Sequence, residues 1–110
     1  MGKNLDLLPG TLDLLILKTL SRNLAMHGYG IAQSLAATTE GVLDVDEGSL
    51  YPALQRLLLE GFVEAQWGKS ENNRRARYYK LTATGRRRLQ KEQTQFDRLI
   101  EAMQRVLRPA

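Results

Sequence analysis

Residues 46–81 read DEGSLYPALQRLLLEGFVEAQWGKSENNRRARYYKL, and the fold follows from how this stretch divides. Leu50, Ala53, Leu54 and Leu57 recur at the i, i+3, i+4, i+7 spacing that buries one face of a helix. Ser49, Tyr51, Pro52, Gln55 and Arg56 are left elsewhere on the same cylinder. Pro52 has no N–H and suits a first turn, so the helix is expected to begin near Gly48 or Ser49, with Ser49 as its cap. Gly61 ends it as the left-handed residue that helix C-termini favour. Beyond it, FVEAQW and ARYYKL alternate with period two, which predicts two antiparallel strands joined by a loop over Gly68 to Arg75. A helix leading through glycine into a basic hairpin can put side chains into a DNA groove while arginines hold the neighbouring backbone. It is the second half of a winged helix.

The chain of 110 residues, 43% hydrophobic and 25% charged, fits one globular domain with a modest core. Its apolar runs stop well short of the ~20 residues of a membrane span. MGKNLDLLPG lacks the parts of a signal peptide. A cytoplasmic protein with no membrane association is expected. Having no cysteine, it has no disulfide or thiolate metal site and fits a reducing compartment.

Charge is unevenly placed. Residues 1–60 hold four basic side chains against seven acidic ones. Residues 69–91 hold nine basic residues against Glu71 alone, a surplus of eight. Such a local positive field suits a polyanion, because association releases counterions condensed on phosphates; the alternative is a solvated basic surface.

Upstream, Leu5 to Gly10 is a short apolar arm ending in Pro-Gly, and Thr11 is expected to cap a helix from Leu12 to about Asn23. Leu12, Leu15, Ile16, Thr19 and Leu20 form its stripe, and LLILKTL is apolar nearly all round, as in a central helix packed on several sides. MHGYG (26–30) reads as a turn whose glycines allow unusual backbone angles or a close approach. Tyr29 to Thr38 is a second helix with Ile31, Ala32, Leu35 and Ala36 inward. His27, the single histidine, reads as a structural, hydrogen-bonded side chain. In the loop over Thr39 to Val45, Val42, Leu43 and Val45 are expected to add one short strand to the wing sheet.

After the wing, Thr82 is expected to cap a helix from about Ala83 to Leu107, roughly 37 Å long at 1.5 Å per residue. Gly85 in its first turn costs about 1 kcal/mol relative to alanine. Leu89, Phe96 and Met103 recur every seven residues, Leu99 and Val106 supply a second seam position, and Ile100 and Leu107 widen it; Glu92 interrupts the second series. This seam reads as a homodimer interface, with a helix folded back on its own domain as the alternative. The expected division is a DNA-binding domain over residues 1–82 and a dimerisation helix over residues 83–110. The fold class is mainly α with a small β-hairpin.

Together LPGTLDLLILKTL, MHGYGIAQ, EGSLYPALQRL, LEGFVEAQW and SENNRRARYYKLTATGRRRL resemble the PadR-type transcriptional regulators, a bacterial winged-helix family, over residues 7 to about 90. The pairing of MHGYG with SLYPAL is the specific part. The short end after Arg88 is similar to that of the smaller members, which carry one C-terminal helix. The resemblance implies a homodimer bound to an inverted-repeat operator in double-stranded DNA, usually as a repressor. It also implies that Ser49, Tyr51, Pro52 and Gln55 belong to a groove-facing recognition helix (Ser49 to Gly61) and Asn72, Asn73, Arg74 and Arg75 to the tip of a basic wing (Gly68 to Arg77). Leu58 and Leu59 stand where charged residues are common, so that face is expected to be covered by the last helix or a partner subunit. Leu24-Ala25 replaces a frequent Gly-Pro.

In the resulting mechanism Gln55 pairs with adenine, Tyr51 reaches a phosphate or a thymine methyl, and Arg56 lies beside them. The wing tip, with Lys69 and Arg77 at its base, holds phosphates or probes the minor groove. Tyr51 packing across the helix–wing junction is the alternative to a DNA contact. Arg86, Arg87 and Arg88 read as a solvated helix face, and Trp67, Tyr78 and Tyr79 as hairpin packing, with a ligand platform as the alternative. Family members respond to small aromatic or cationic compounds at the dimer seam; Phe96 is the one aromatic here, and no inducer pocket is assigned, leaving any effector unidentified. No cofactor, metal or catalytic residue is expected: with one histidine, no cysteine and no phosphate loop, the chain lacks the groups an enzyme needs. The competing classes are a winged-helix docking module, which has no need of the basic wing, and an RNA-binding winged helix.

Overall fold

The computed structural model describes residues 10–109. The expected arm over residues 5–9 lies outside the described residues. The elements are α1 (Thr11–Ser21), β1 (Met26–His27), α2 (Gly28–Thr38), α3 (Glu47–Leu59), β2 (Val63–Lys69), β3 (Arg75–Leu81) and α4 (Ala83–Leu107). The architecture is mainly α with a small antiparallel sheet, as the sequence predicts.

Helix α1 packs against α2, α3, α4 and β3, the central position its apolar run implies. Ile16, Leu17, Thr19 and Leu20 are buried, Leu17 joining the expected stripe, and the Thr19 hydroxyl donates to the Leu15 carbonyl at 2.8 Å. Thr11 is not the cap. Gly10 occupies that position without a side-chain bond, and the helix stops at Ser21, two residues early, where Asn23 turns back to donate to the Thr19 carbonyl.

The third strand of the sheet is not the 42–45 segment. Met26 and His27 form it, pairing antiparallel with β3 in the register Met26↔Tyr79 and His27↔Tyr78, so that the strand order is β1-β3-β2. The expected MHGYG turn is therefore a strand passing directly into a helix. His27 makes that junction: its Nδ1 accepts from the Gly30 N–H at 2.9 Å and caps α2. Downstream, Glu40 and Gly41 take positive φ and the chain climbs as a loop to α3. Within that loop the Leu43 N–H donates to the Thr39 hydroxyl at 3.0 Å.

Helix α3 starts two residues before Ser49. Asp46 is its cap, accepting from the Ser49 N–H at 2.8 Å, and Glu47 adds negative charge at the positive helix end. Pro52 consequently sits in the second turn. The partner it denies is the Gly48 carbonyl, and Gly48 is exposed to water, which limits the cost. Leu50, Ala53, Leu54 and Leu57 are all buried, as their spacing requires. At the other end Gly61 has φ +79, its N–H donates to the Leu58 carbonyl and that of Phe62 donates to Leu57, a Schellman close. Leu58 is half-buried against the core cluster, whereas Leu59 is exposed.

The hairpin ladder runs from Val63↔Leu81 to Lys69↔Arg75, and the loop is confined to residues 70–74. It is shorter at both ends than expected because Gly68 and Arg75 stay in the strands. The Tyr78 ring lies across Gly68, and its hydroxyl donates to the Lys69 carbonyl at 2.8 Å, which extends pairing to the tip.

Thr82 caps α4, accepting from the Gly85 N–H and donating to the Gly61 carbonyl at 2.7 Å. Gly85 is less a tolerated defect than a requirement, since a Cβ there would run into the Phe62 carbonyl. The first turns of α4 bury Gly85 and Leu89 in the core. Leu89 is thus a core residue of its own protomer and not a seam residue. Beyond it the helix projects, and the molecule measures 56 × 36 × 21 Å. Among the described residues no helix is long and apolar enough to cross a membrane.

Candidate nucleic-acid interface

The polar face of α3 is open. Ser49, Tyr51, Pro52, Gln55 and Arg56 are all exposed, on the side of the helix away from the buried Leu50–Leu57 stripe. Arg56 is engaged: its guanidinium donates to the Asp13 carboxylate at 3.0 Å, tying α3 to the first turn of α1. An exposed pair of this kind stabilises by about 0–1 kcal/mol, so it opens at little cost when a phosphate competes.

Tyr51 packs and yet stays open to solvent. It is 43% exposed, yet a Cβ added at Gly28 would lie 2.8 Å from its ring and hydroxyl, so the close approach at the start of α2 is made for this side chain. Burial, then the Glu47 carboxylate, then Tyr79 hold its phenol above the usual tyrosine range, so at neutral pH it is a hydrogen-bond donor.

The wing borders the same region. Side chains directly opposite in an antiparallel ladder share a face and alternate with the other face. One face therefore carries Val63 with Leu81, Ala65 with Tyr79, Trp67 with Arg77, and Lys69 with Arg75. Its lower half is core and its upper half is aromatic and cationic. At the tip, Ser70 N–H bonds the Arg74 carbonyl and Asn73 N–H bonds Ser70, with Asn73 at φ +59, a conformation asparagine tolerates well. Asn72, Asn73, Arg74 and Arg75 are exposed.

Between the wing, the start of α2 and the start of α3 lies a cleft of about 730 Å³. Of the expected residues, Tyr51, Asn72, Arg74, Arg75 and Arg77 line it, whereas Ser49, Pro52, Gln55, Arg56, Lys69 and Asn73 do not. Tyr29, Gln33 and Trp67 also line it. Tyr29 and Gln33 are not among the residues expected from the sequence, although their i, i+4 spacing, opposite the buried Ile31 and Leu35, puts both on one side of α2. Trp67 is 55% exposed and holds the Arg75 guanidinium 4.3 Å from its ring centroid. Its packing is thus cross-strand within the hairpin but with arginines and half open to solvent, whereas Tyr79 is buried in the core and Tyr78 packs on the sheet. Arg88 leans on Phe62 and pairs with Glu92, and Arg87 meets Thr84, so the arginine run is a helix surface rather than a wing extension.

Along α4, Phe96, Leu99, Met103, Val106 and Leu107 are exposed and Ile100 is half-buried. Val106 is 83% exposed.

Three helices, a hairpin and an added edge strand, with an open helix face beside a basic wing, define a winged-helix DNA-binding protein. Residues 16–91 match the PadR-like transcriptional regulator family. An uncharacterized protein from Lysinibacillus sphaericus is 30% identical over 81 residues, 74% of this chain and 73% of that one. A PadR family transcriptional regulator from Eggerthella lenta superposes with a TM-score of 0.77 at 27% identity, covering 92% of this chain and 85% of its own. A transcriptional regulator from Clostridium thermocellum shares the fold with a TM-score of 0.81 at 22% identity, over 90% and 95% of the two chains. The protein belongs to the PadR-like family: it is a DNA-binding transcriptional regulator and not an enzyme.

Proposed function

We propose that the protein is a repressor that binds an inverted-repeat operator as a homodimer in the cytoplasm. The observation that supports this most directly is the juxtaposition of an open α3 face with a wing whose inner face turns cationic beyond the core. Residues 1–82 act as the DNA-binding domain and 83–110 as the dimerisation helix. Ser49, Tyr51, Pro52 and Gln55 enter the major groove, Gln55 reading adenine through its amide. Arg56 leaves Asp13 for a phosphate. Lys69, Asn72, Asn73, Arg74, Arg75 and Arg77 hold the backbone on either side. Phe96, Leu99, Ile100, Met103, Val106 and Leu107 pair with their copies in a second chain and set the spacing of two half-sites about one helical turn apart.

Selection of bound sequences from a random duplex library at two salt concentrations, followed by sedimentation of the complex, tests the proposal. An inverted repeat carrying two chains is the expected result. Recovery of no preferred sequence, with binding lost at moderate salt, would instead make the wing a non-specific phosphate contact and the domain a docking module. The roles within the site separate further. Gln55→Ala should cost about 1–3 kcal/mol at one base position, whereas Arg74→Ala should weaken all sequences alike and lower the salt slope by about one. The reverse pattern would exchange their roles.

A further inference from the structure

Trp67 has no place in the functional reading above, and its position is hard to account for by packing. Along β2 the residues preceding it on its face are Val63, buried, and Ala65, half-buried, so Trp67 is the next step outward, where the core has ended. A large apolar ring at that step stays 55% exposed. Its cross-strand partner is Arg77, and Arg75 is the diagonal neighbour on the same face. The two guanidinium carbons lie 5.9 Å and 4.3 Å from the indole centroid, and that of Arg77 lies 6.0 Å from Tyr79 as well. This row borders the cleft that Tyr51 enters from α3.

We propose that Trp67 is a positioning residue for DNA binding: its indole holds Arg75 and Arg77 in a fixed row on the inner face of the wing, aimed at the sugar–phosphate strand beside the recognition helix. The inference rests on the DNA-binding reading. An unsupported arginine loses rotamer freedom when it grips a phosphate, whereas one already stacked on an aromatic face has lost much of it on folding. Arginine is suited to this because its planar cation stacks on the ring and still offers N–H groups at its edge to phosphate oxygens. The indole also keeps the two positive charges in register without a carboxylate, which would cancel the field the phosphates respond to. The bound strand then closes over the stack and covers the ring.

Trp67 is the single tryptophan of the chain, so its emission reports on this row alone. Full-length protein is titrated with the fluorescein-labelled duplex recovered from the selection, with a scrambled duplex alongside, and acrylamide quenching of the indole is read in parallel. Binding by the wild type tests the DNA reading itself. The variants Trp67→Phe, Trp67→Ala, Arg75→Ala and the Trp67→Ala/Arg75→Ala pair test the inference. Trp67→Ala should weaken binding about fivefold with the salt slope unchanged, and Trp67→Phe should restore most of the loss. Arg75→Ala should lower the slope by about one, and the double variant should lose less than the product of the two single losses. In the wild type, quenching should fall on duplex binding. Independent losses in the double variant, an indole equally quenched in the complex, or a Trp67→Phe as weak as Trp67→Ala would each overturn the assignment. If the wild type bound no duplex, the DNA reading would fall first and the inference with it.

Discussion

The two ends of α4 belong to one uninterrupted helix and live in different surroundings. Its first turns are part of the core: Gly85 lets the chain pass beneath the Phe62 carbonyl, and Leu89 is buried against α1. From Phe96 onward the same heptad of apolar residues continues largely exposed, Ile100 alone being half-buried. The pattern of side chains therefore does not change where the environment does. An apolar stripe says that something will be buried, and the tertiary structure says by whom.

Substitutions along the helix should divide at that boundary. Gly85→Ala should have the largest effect, lowering unfolding stability by about 3 kcal/mol or more, because the carbonyl it meets is also fixed by the Thr82 N–H and cannot retreat cheaply. Denaturant unfolding measures it, and a small loss would mean the joint is slack. Leu89→Ala should follow, at about 2–4 kcal/mol with self-association intact; a monomer of normal stability would return Leu89 to the seam. Phe96→Asp should do the opposite, leaving monomer stability within about 0.5 kcal/mol while sedimentation at fixed chain concentration shifts to one chain. A dimer that survives it would move the interface off this helix. Smallest should be Val106→Ser in the last turn of α4, weakening self-association about tenfold or less and leaving circular dichroism unaltered.

Where a signal was periodic and long, it was legible. The α3 stripe, the alternation of both hairpin strands and the span of α4 could be read because 3.6 and 2 residues are distinguishable over five or more positions. The strand Met26–His27 could not, since two residues carry no alternation and their partners, Tyr79 and Tyr78, lie far along the chain. Its place was wrongly given to 42–45, which has β-branched residues but follows two positive-φ positions that point it elsewhere. Pro52 points to Ser49 as the α3 cap only if proline needs the first turn, and the exposed Gly48 removes that constraint. In the site, the surplus of charge was visible in composition alone. The engagement of Arg56 by Asp13 and the stacking of Arg75 on Trp67 were not, because each depends on how separate elements are brought together. The start of the α4 seam failed for the same reason: Leu89 fits the heptad as well as Phe96 does.

The knot at the base of the wing bears on how such a molecule could transmit orientation. Thr82 N–H and hydroxyl bond the Phe62 and Gly61 carbonyls, and Gly85 closes the gap beneath them, so hairpin root, α3 terminus and α4 meet at a single stiff joint. A rod of roughly 37 Å fixed at one end behaves as a lever, and a tilt of about 5° at its far tip corresponds to about 3 Å there. Torque applied to the outer half of α4 would be delivered to the wing and α3 as a rotation of the pair, with little lost to bending between them.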